Sequence, residues 1–445
     1  MKLKGKCDIK VIPIYRQIVR KTIPNDHKNR IYDSKCLYFI LPVLSVLLAL
    51  SLVEIVGRAF LKASDTSYGV LLGRELPPKA VIPISEIPEI DPDAEFEDLV
   101  VDGKKITKSD LWGMMQEDPV VGWIPRKKVV STNRWWRTNN FGARTDQDIG
   151  MHKPSGRTRV LLFGDSFTQG SRLPQAETWA YQLEKRNPGF EVFNFGVDGY
   201  GMGQSFLRYQ TVQAGIDYDV VLFLFVPTVD LWRDINTIRS LGGDWLSFAI
   251  TPRFIFKDDR LEYVKSPYQN VLEVYQANHI RLSPKVRDYL RKYDRFYIPA
   301  LYEDPPLLKY LISYKIAALF YGNRKIRMIY RQAFEDPNSE AWQVTRKIFD
   351  AVKTLASKRE ANFILAILPT HMDIHKAQQD EHFRKYWHNF VAKLIRSELH
   401  TVDLLPRMSS APLDELDYGY DGSHYGTKAS FLIAEILASA IQKYQ

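Results

Sequence analysis

Cysteine is almost missing from this chain: two residues, Cys7 and Cys36, among 445. Both stand in the first 36 positions, so no disulfide can stabilise anything after them. A small secreted domain of animal type would more often rely on such bridges. Charge of either sign is absent from Cys36 to Val53, and Glu54 is the first ionisable residue after that run. A helix needs about 20 apolar residues to cross a bilayer, and extending the run to Gly57 gives that length. A strongly basic surface is also lacking. The formal net charge is +9, but residues 1–35 hold ten Lys/Arg against three Asp/Glu. The remainder is close to neutral, which argues against nucleic acid as a partner. Finally, no internal repeat breaks the chain into equal units.

What is present follows from those gaps. The basic flank before Cys36 is expected to stay on the cytoplasmic side. A single transmembrane helix over 36–57 would then leave residues 58–445 outside, in a periplasmic or extracellular setting. A buried helix of a soluble domain and a cleaved signal peptide are the competing readings; for the latter, the basic stretch is long and no small-x-small cleavage site follows. Pro42 is tolerable in a membrane helix. The domain plan expected is a basic cytoplasmic tail (1–35), the transmembrane helix (36–57), a linker and small β-rich region (58–155), and a main domain (156–445). Within 58–155, the prolines from Pro77 to Pro92 read as an extended linker or edge strand. Trp135 and Trp136 suit core packing, or a platform on which a sugar could stack.

The main domain reads as strands alternating with helices. Strands are expected at Arg159–Phe163, Phe190–Phe195, Asp219–Val226, Phe363–Leu368 and His400–Leu405. Helices are expected at Glu177–Arg186, Gln204–Ala214, Trp342–Lys358, Glu381–Ser397 and Thr427–Lys443. Near-continuous apolar strands separated by helices indicate a parallel sheet covered on both faces, a three-layer α/β/α domain.

Chemistry gathers in three places. Val160–Phe163 runs into Gly164-Asp165-Ser166-Phe167-Thr168-Gln169-Gly170, a buried strand ending in a tight turn that presents a serine. It is not the Gly-x-Ser-x-Gly elbow, because Thr168 holds the second glycine's place. Near the other end stands Asp421-Gly422-Ser423-His424. An aspartate three residues before a histidine can hold its tautomer, and that histidine can serve as base to a serine. Between them, Gly196, Gly199, Gly201 and Gly203 imply a sharply bent backbone or close approach to a ligand, without the dinucleotide spacing. His371-Met372-Asp373-Ile374-His375 could ligate a metal if helical; with no third strong ligand nearby, the expectation is a solvated loop and no metal.

Gly-Asp-Ser-Phe-Thr-x-Gly early and Asp-x-x-His late, in that order, resemble the SGNH, or GDSL, hydrolase family. The resemblance covers roughly Arg157 to the C-terminus. It implies a flavodoxin-like strand order, with Ser166 as nucleophile, His424 as base and Asp421 orienting it. It implies an oxyanion hole from the N–H groups of Ser166 and Gly199. The family's third block places an asparagine amide there; here Asp230 matches the block's aspartate and Val229 takes the asparagine's place. Losing one such donor typically costs ~10²–10³ in rate, and Thr228 is the candidate substitute through its hydroxyl.

After Asp234 the pattern is interrupted over 236–340. This insertion carries eleven tyrosines between Tyr263 and Tyr330. Pro306–Phe320 within it is apolar apart from Lys309 and Lys315, and suits either a lid helix packed on the domain or a segment on the membrane surface. The function expected is a membrane-anchored serine esterase acting on acyl esters of cell-envelope glycans or lipids, without a cofactor. The alternatives are an O-acyltransferase of envelope polysaccharide and a catalytically weak glycan-binding or assembly subunit.

Overall fold

The computed structural model describes residues 28–64, 66–81, 99–101, 104–106, 114–131, 133–242, 250–267, 283–395, 399–412, 416–419 and 422–444. Its centre is a five-stranded sheet. Its strands are β1 (Thr158–Gly164), β2 (Phe190–Asn194), β3 (Val220–Phe225), β4 (Asn362–Ile367) and β5 (His400–Asp403). The order across the sheet is β2-β1-β3-β4-β5, and every neighbouring pair is parallel. This is the flavodoxin-like order, whose switch point lies between β1 and β3. Val160–Phe163 of β1 and all of β3 are fully buried. A strand buried on both faces has no use for polar alternation, which explains the unbroken apolar runs.

Helices cover both faces. Trp179–Arg186 packs beside Thr427–Tyr444, and Met202–Gln213 packs beside Glu340–Ser357. In Glu381–Ile395 the residues Trp387, Phe390, Val391 and Leu394 are buried along one stripe, as the sequence pattern predicts. All ten expected elements of the main domain are present, with ends displaced by at most two residues.

The N-terminal helix runs from Lys28 to Phe60, beyond the expected 36–57 at both ends. Its part from Ile40 to Phe60 is long and apolar enough to cross a membrane, and its leucines and valines point away from the protein. A small antiparallel sheet follows, Leu61–Lys62, Ser67–Leu71 and Arg74–Lys79. Two hairpins come next, Leu99–Val101 with Lys104–Ile106 and Met115–Asp118 with Gly122–Pro125. Pro77 and Pro78 sit in an edge strand of the first sheet, where their missing N–H groups cost no ladder bond. The rest of the proline-rich stretch, 82–98, lies outside the described residues.

Between β3 and β4 the chain forms a hairpin (Arg253–Lys257, Arg260–Val264) and the helices Pro284–Tyr293, Pro299–Tyr302 and Ile312–Glu335. A second hydrophobic cluster, centred on Leu76, Leu301, Ile312 and Leu319, joins these helices to the sheet that follows the N-terminal helix.

At the amino end of β1, Arg159 is 1% exposed and donates to Glu191 Oε2 at 2.6 Å and to the carbonyls of Gly150, His152 and Asp217. It ties β1 to β2 and to the loop before them. Arg159→Met would leave Glu191 buried and unpaired. We expect a loss of about 3–5 kcal/mol in urea unfolding; a loss below about 1 kcal/mol would show that the network is dispensable.

Candidate functional site

β1 ends at Gly164, whose φ is +156°. A Cβ there would lie 2.0 Å from Thr168 Oγ1 and 2.8 Å from the Leu224 carbonyl, so the turn admits only glycine. Asp165 then caps the one-turn helix Ser166–Gln169, accepting from the Phe167 N–H at 2.9 Å. Ser166 is left at the carboxyl edge of the sheet, 5% exposed.

His424 arrives from the loop before the last helix. Its Nε2 lies 2.8 Å from Ser166 Oγ, and its ring leans on Phe167 with centroids 4.7 Å apart. Nδ1 lies 3.2 Å from Ser423 Oγ. The loop is pinned by the Gly419 N–H on the His424 carbonyl at 2.7 Å and by bridging of Tyr418 with Tyr425. Asp421, expected to orient His424, lies outside the described residues.

Gly199 sits at φ +75° in the loop after β2 and lines the same cleft as Ser166 and His424. That loop is held from three sides. Gln169 Oε1 accepts from the Asp198 N–H at 3.2 Å. Trp123 Nε1 donates to the Asp198 carbonyl at 3.1 Å, and Arg239 Nε donates to the Gly199 carbonyl at 2.7 Å.

The loop after β3 forms the helix Pro227–Arg233, and the Val229 side chain lines the cleft. Thr228 does not serve as the missing donor. Its single O–H is spent on Asp373 Oδ2 at 3.1 Å, and the residue is not part of the cleft wall. A hydroxyl has one proton to give.

The stretch from His371 is also a correction. It forms a helix, His371–Gln379, not a solvated loop, because Thr370 and Asp373 make a reciprocal capping box. Asp373 is thereby occupied by Thr370 and Thr228. His371 is buried, stacked on Tyr418 at 3.6 Å, and lines the cleft, whereas His375 is exposed. Burial pushes His371 down to about 4, so its ring is neutral at physiological pH. No group of three or more metal-ligating side chains occurs among the described residues.

Two arginines that the sequence pattern did not single out support the serine. Arg144, from the region before the main domain, donates to the carbonyls of Gln169 at 2.9 Å, Gly170 at 2.7 Å and Leu173 at 2.6 Å. These are free carbonyls at and beyond the end of the Ser166 helix, and a buried cation satisfies them. The same guanidinium lies 4.4 Å over the Trp136 ring, so Trp136 is committed to packing. Arg233 Nη1 lies 3.2 Å from Asp165 Oδ2 and donates to the Tyr200 carbonyl at 3.1 Å. Asp165 and Asp230 are both fully buried. Burial pushes both carboxyls up, Asp230 furthest because the Asp165 charge adds to it, while Arg233 opposes the rise in both.

The cleft bounded by these loops measures about 600 Å³. Met372 and Tyr418, 63% and 53% exposed, stand at its mouth.

No family model and no curated protein matches the chain. Among solved structures, it is similar to an alpha/beta hydrolase enzyme from the metagenome of Lake Arreo, Spain. That match has 13% identity and a TM-score of 0.33, covering 66% of this chain and 100% of the other. An acetyl xylan esterase matches at 15% identity and a TM-score of 0.32, covering 64% and 99%. A lipolytic protein of the G-D-S-L family from Veillonella parvula matches at 10% identity and a TM-score of 0.29, again covering 64% and 99%. Likeness this distant carries no activity to this chain; the fold rests on the strand order itself.

Arg233 gives a pH-dependent test. Carboxyls with raised native pKa values cost nothing below the unfolded range, near pH ~3.9. The cost grows as pH climbs toward the native values. Arg233→Met removes the charge that limits it. The stability gap to wild type should therefore widen as pH rises above that unfolded range, reaching about 3–5 kcal/mol. A gap in thermal and urea melts that is flat with pH would exclude this electrostatic role.

Proposed function

We propose that the chain is a serine esterase, held to a membrane by its N-terminal helix and acting on acyl esters of cell-envelope glycans or lipids. The observation that carries this reading is the 2.8 Å contact between His424 Nε2 and Ser166 Oγ inside a cleft. At that distance imidazole can take the hydroxyl proton as the oxygen attacks. The Ser166 oxygen adds to the ester carbonyl, and the N–H groups of Ser166 and Gly199 receive the negative charge. The C–O bond to the alcohol then breaks, and His424 returns the proton to the departing oxygen. Water enters, gives a proton to His424 and attacks the acyl-serine carbonyl; the C–Oγ bond then breaks, His424 returns the proton to Ser166 Oγ, and the acid leaves. Asp421 is assigned the task of holding the His424 tautomer. The open mouth at Met372 and Tyr418 supports water as the acceptor over a second sugar hydroxyl.

Val229 supports a slower enzyme than a site with three oxyanion donors, because an isopropyl group lines the wall where an amide would donate. That same residue is the observation in favour of a glycan-binding or assembly subunit as the second reading.

Two experiments separate these. A fluorophosphonate should label the purified protein at Ser166, and p-nitrophenyl ester hydrolysis should fall to background in Ser166→Ala and in His424→Ala. The double variant should be hardly worse than either single one, since the pair acts as a unit. Turnover unchanged in Ser166→Ala would remove the mechanism; absence of labelling would favour the binding subunit.

Val229→Asn should raise kcat by about 10-fold, below the ~10²–10³ of an evolved donor, because nothing orients the new amide. Thr228 cannot mask the result while its proton is on Asp373. A folded variant that labels normally and gains no turnover would show that the amide does not reach the oxyanion.

A further inference from the structure

We propose that the segment Leu307–Met328 is a membrane-contacting surface, seated in the headgroup layer of the bilayer that the N-terminal helix spans. The proposal rests on the anchor reading above and adds a second point of contact from a distant part of the chain.

The first observation is a docking contact. Glu54 is the first charge after the apolar run, and its carboxylate is spent on the start of the Ile312–Glu335 helix. Oε2 accepts from the Ile312 N–H at 2.9 Å; Oε1 accepts from the Ser313 N–H at 2.9 Å and from Ser313 Oγ at 2.6 Å. The free N–H groups of a helix start favour an anion, and here another helix supplies it. Arg58 donates to the Tyr310 carbonyl at 2.9 Å. At Gly57 a Cβ would fall 2.8 Å from Ile312 Cγ2, so glycine lets the two backbones meet. Residues 54, 57 and 58 share one helix face. The turn before Ile312 is therefore fixed at the level where the apolar run ends.

The second observation is independent of those contacts. Among the described residues, half of the large hydrophobic side chains exposed outside the N-terminal helix fall between Leu307 and Met328. Leu307 is 92% exposed, Tyr310 63%, Phe320 71% and Tyr321 52%. Along the helix, Phe320, Tyr321, Arg324, Met328 and Arg331 are exposed at spacings that share one face. Aromatic and leucine side chains beside arginine and lysine are the composition of a helix lying in a membrane interface. Rings sit at headgroup depth, and Arg324, Lys325 and Arg327 can reach phosphates. A lipid surface is the occupant because the patch is continuous with the span: a bilayer around Ile40–Val53 meets this turn at its edge.

The test uses the full chain in nanodiscs of phosphatidylethanolamine and phosphatidylglycerol, with Cys7 and Cys36 replaced by serine. Single cysteines at positions 307 and 320 carry the environment-sensitive fluorophore NBD. Position 47 reports on the span. Position 151, at the amino end of the sheet, reports on a surface away from the insertion. The expected result is blue-shifted emission quenched by doxyl lipids at 47, 307 and 320, and by aqueous iodide only at 151. If 47 is protected while 307 and 320 are quenched by iodide like 151, the anchor stands and this surface belongs to water or to a protein partner. If 47 is itself open to iodide, the anchor reading fails and this proposal fails with it.

Discussion

The buried pair of Asp165 and Arg233 is the contact on which the site depends. Asp165 belongs to the turn after β1 and caps the serine's helix. Arg233 belongs to the helix after β3, and it also holds the Tyr200 carbonyl in the loop after β2. One guanidinium thus gathers the three loops that meet at the switch point of the sheet. A buried pair of this kind adds little net stability over a well-packed apolar substitute. What it adds is alignment: the serine, the glycine loop and the wall at Val229 cannot shift separately without stranding a charge. Arg144 acts from the other end of the same short helix, so a four-residue element that could not persist alone is held at both termini.

The sheet and its covering helices were legible in the sequence because they obey simple periodicities. Val160–Phe163 and Val220–Phe225 are unbroken apolar runs since both faces are covered. The stripe from Phe383 to Leu394 repeats every three or four residues since one face is. The placing of Ser166 followed from Gly164, a residue type tied to a turn. Arg144 was not legible, because an arginine that completes a helix end and one that sits in solvent look the same in a string. The helix at His371–Gln379 is hidden in the sequence for another reason. Histidine and aspartate are weak helix formers, and the signal lay in the cap at Thr370 and Asp373. The Thr228 hydroxyl suggests a donor in the sequence, but its partner Asp373 lies 145 residues away and is brought to it only by the fold. Glu54 read as a charge that trims an apolar run. Its partners, Ile312 and Ser313, stand more than 250 residues away, a pairing that no local pattern reports.

The separation in sequence between Ser166 and His424 has a consequence for how the protein is made. Ser166 and His424 are 258 residues apart. Between them the chain completes β3 at Phe225, builds the whole insertion, and resumes the sheet only at Asn362. β1, β2 and β3 are neighbours that a growing chain can pair early, but β4 must wait for a long loop to close. The imidazole comes after β5, just ahead of the last helix. A nascent chain leaving the ribosome therefore carries the Ser166 turn well before His424 exists to contact it. Ser166 and His424 can meet only after the insertion, β4 and β5 have been made and folded, so the order of the chain delays assembly of this pair.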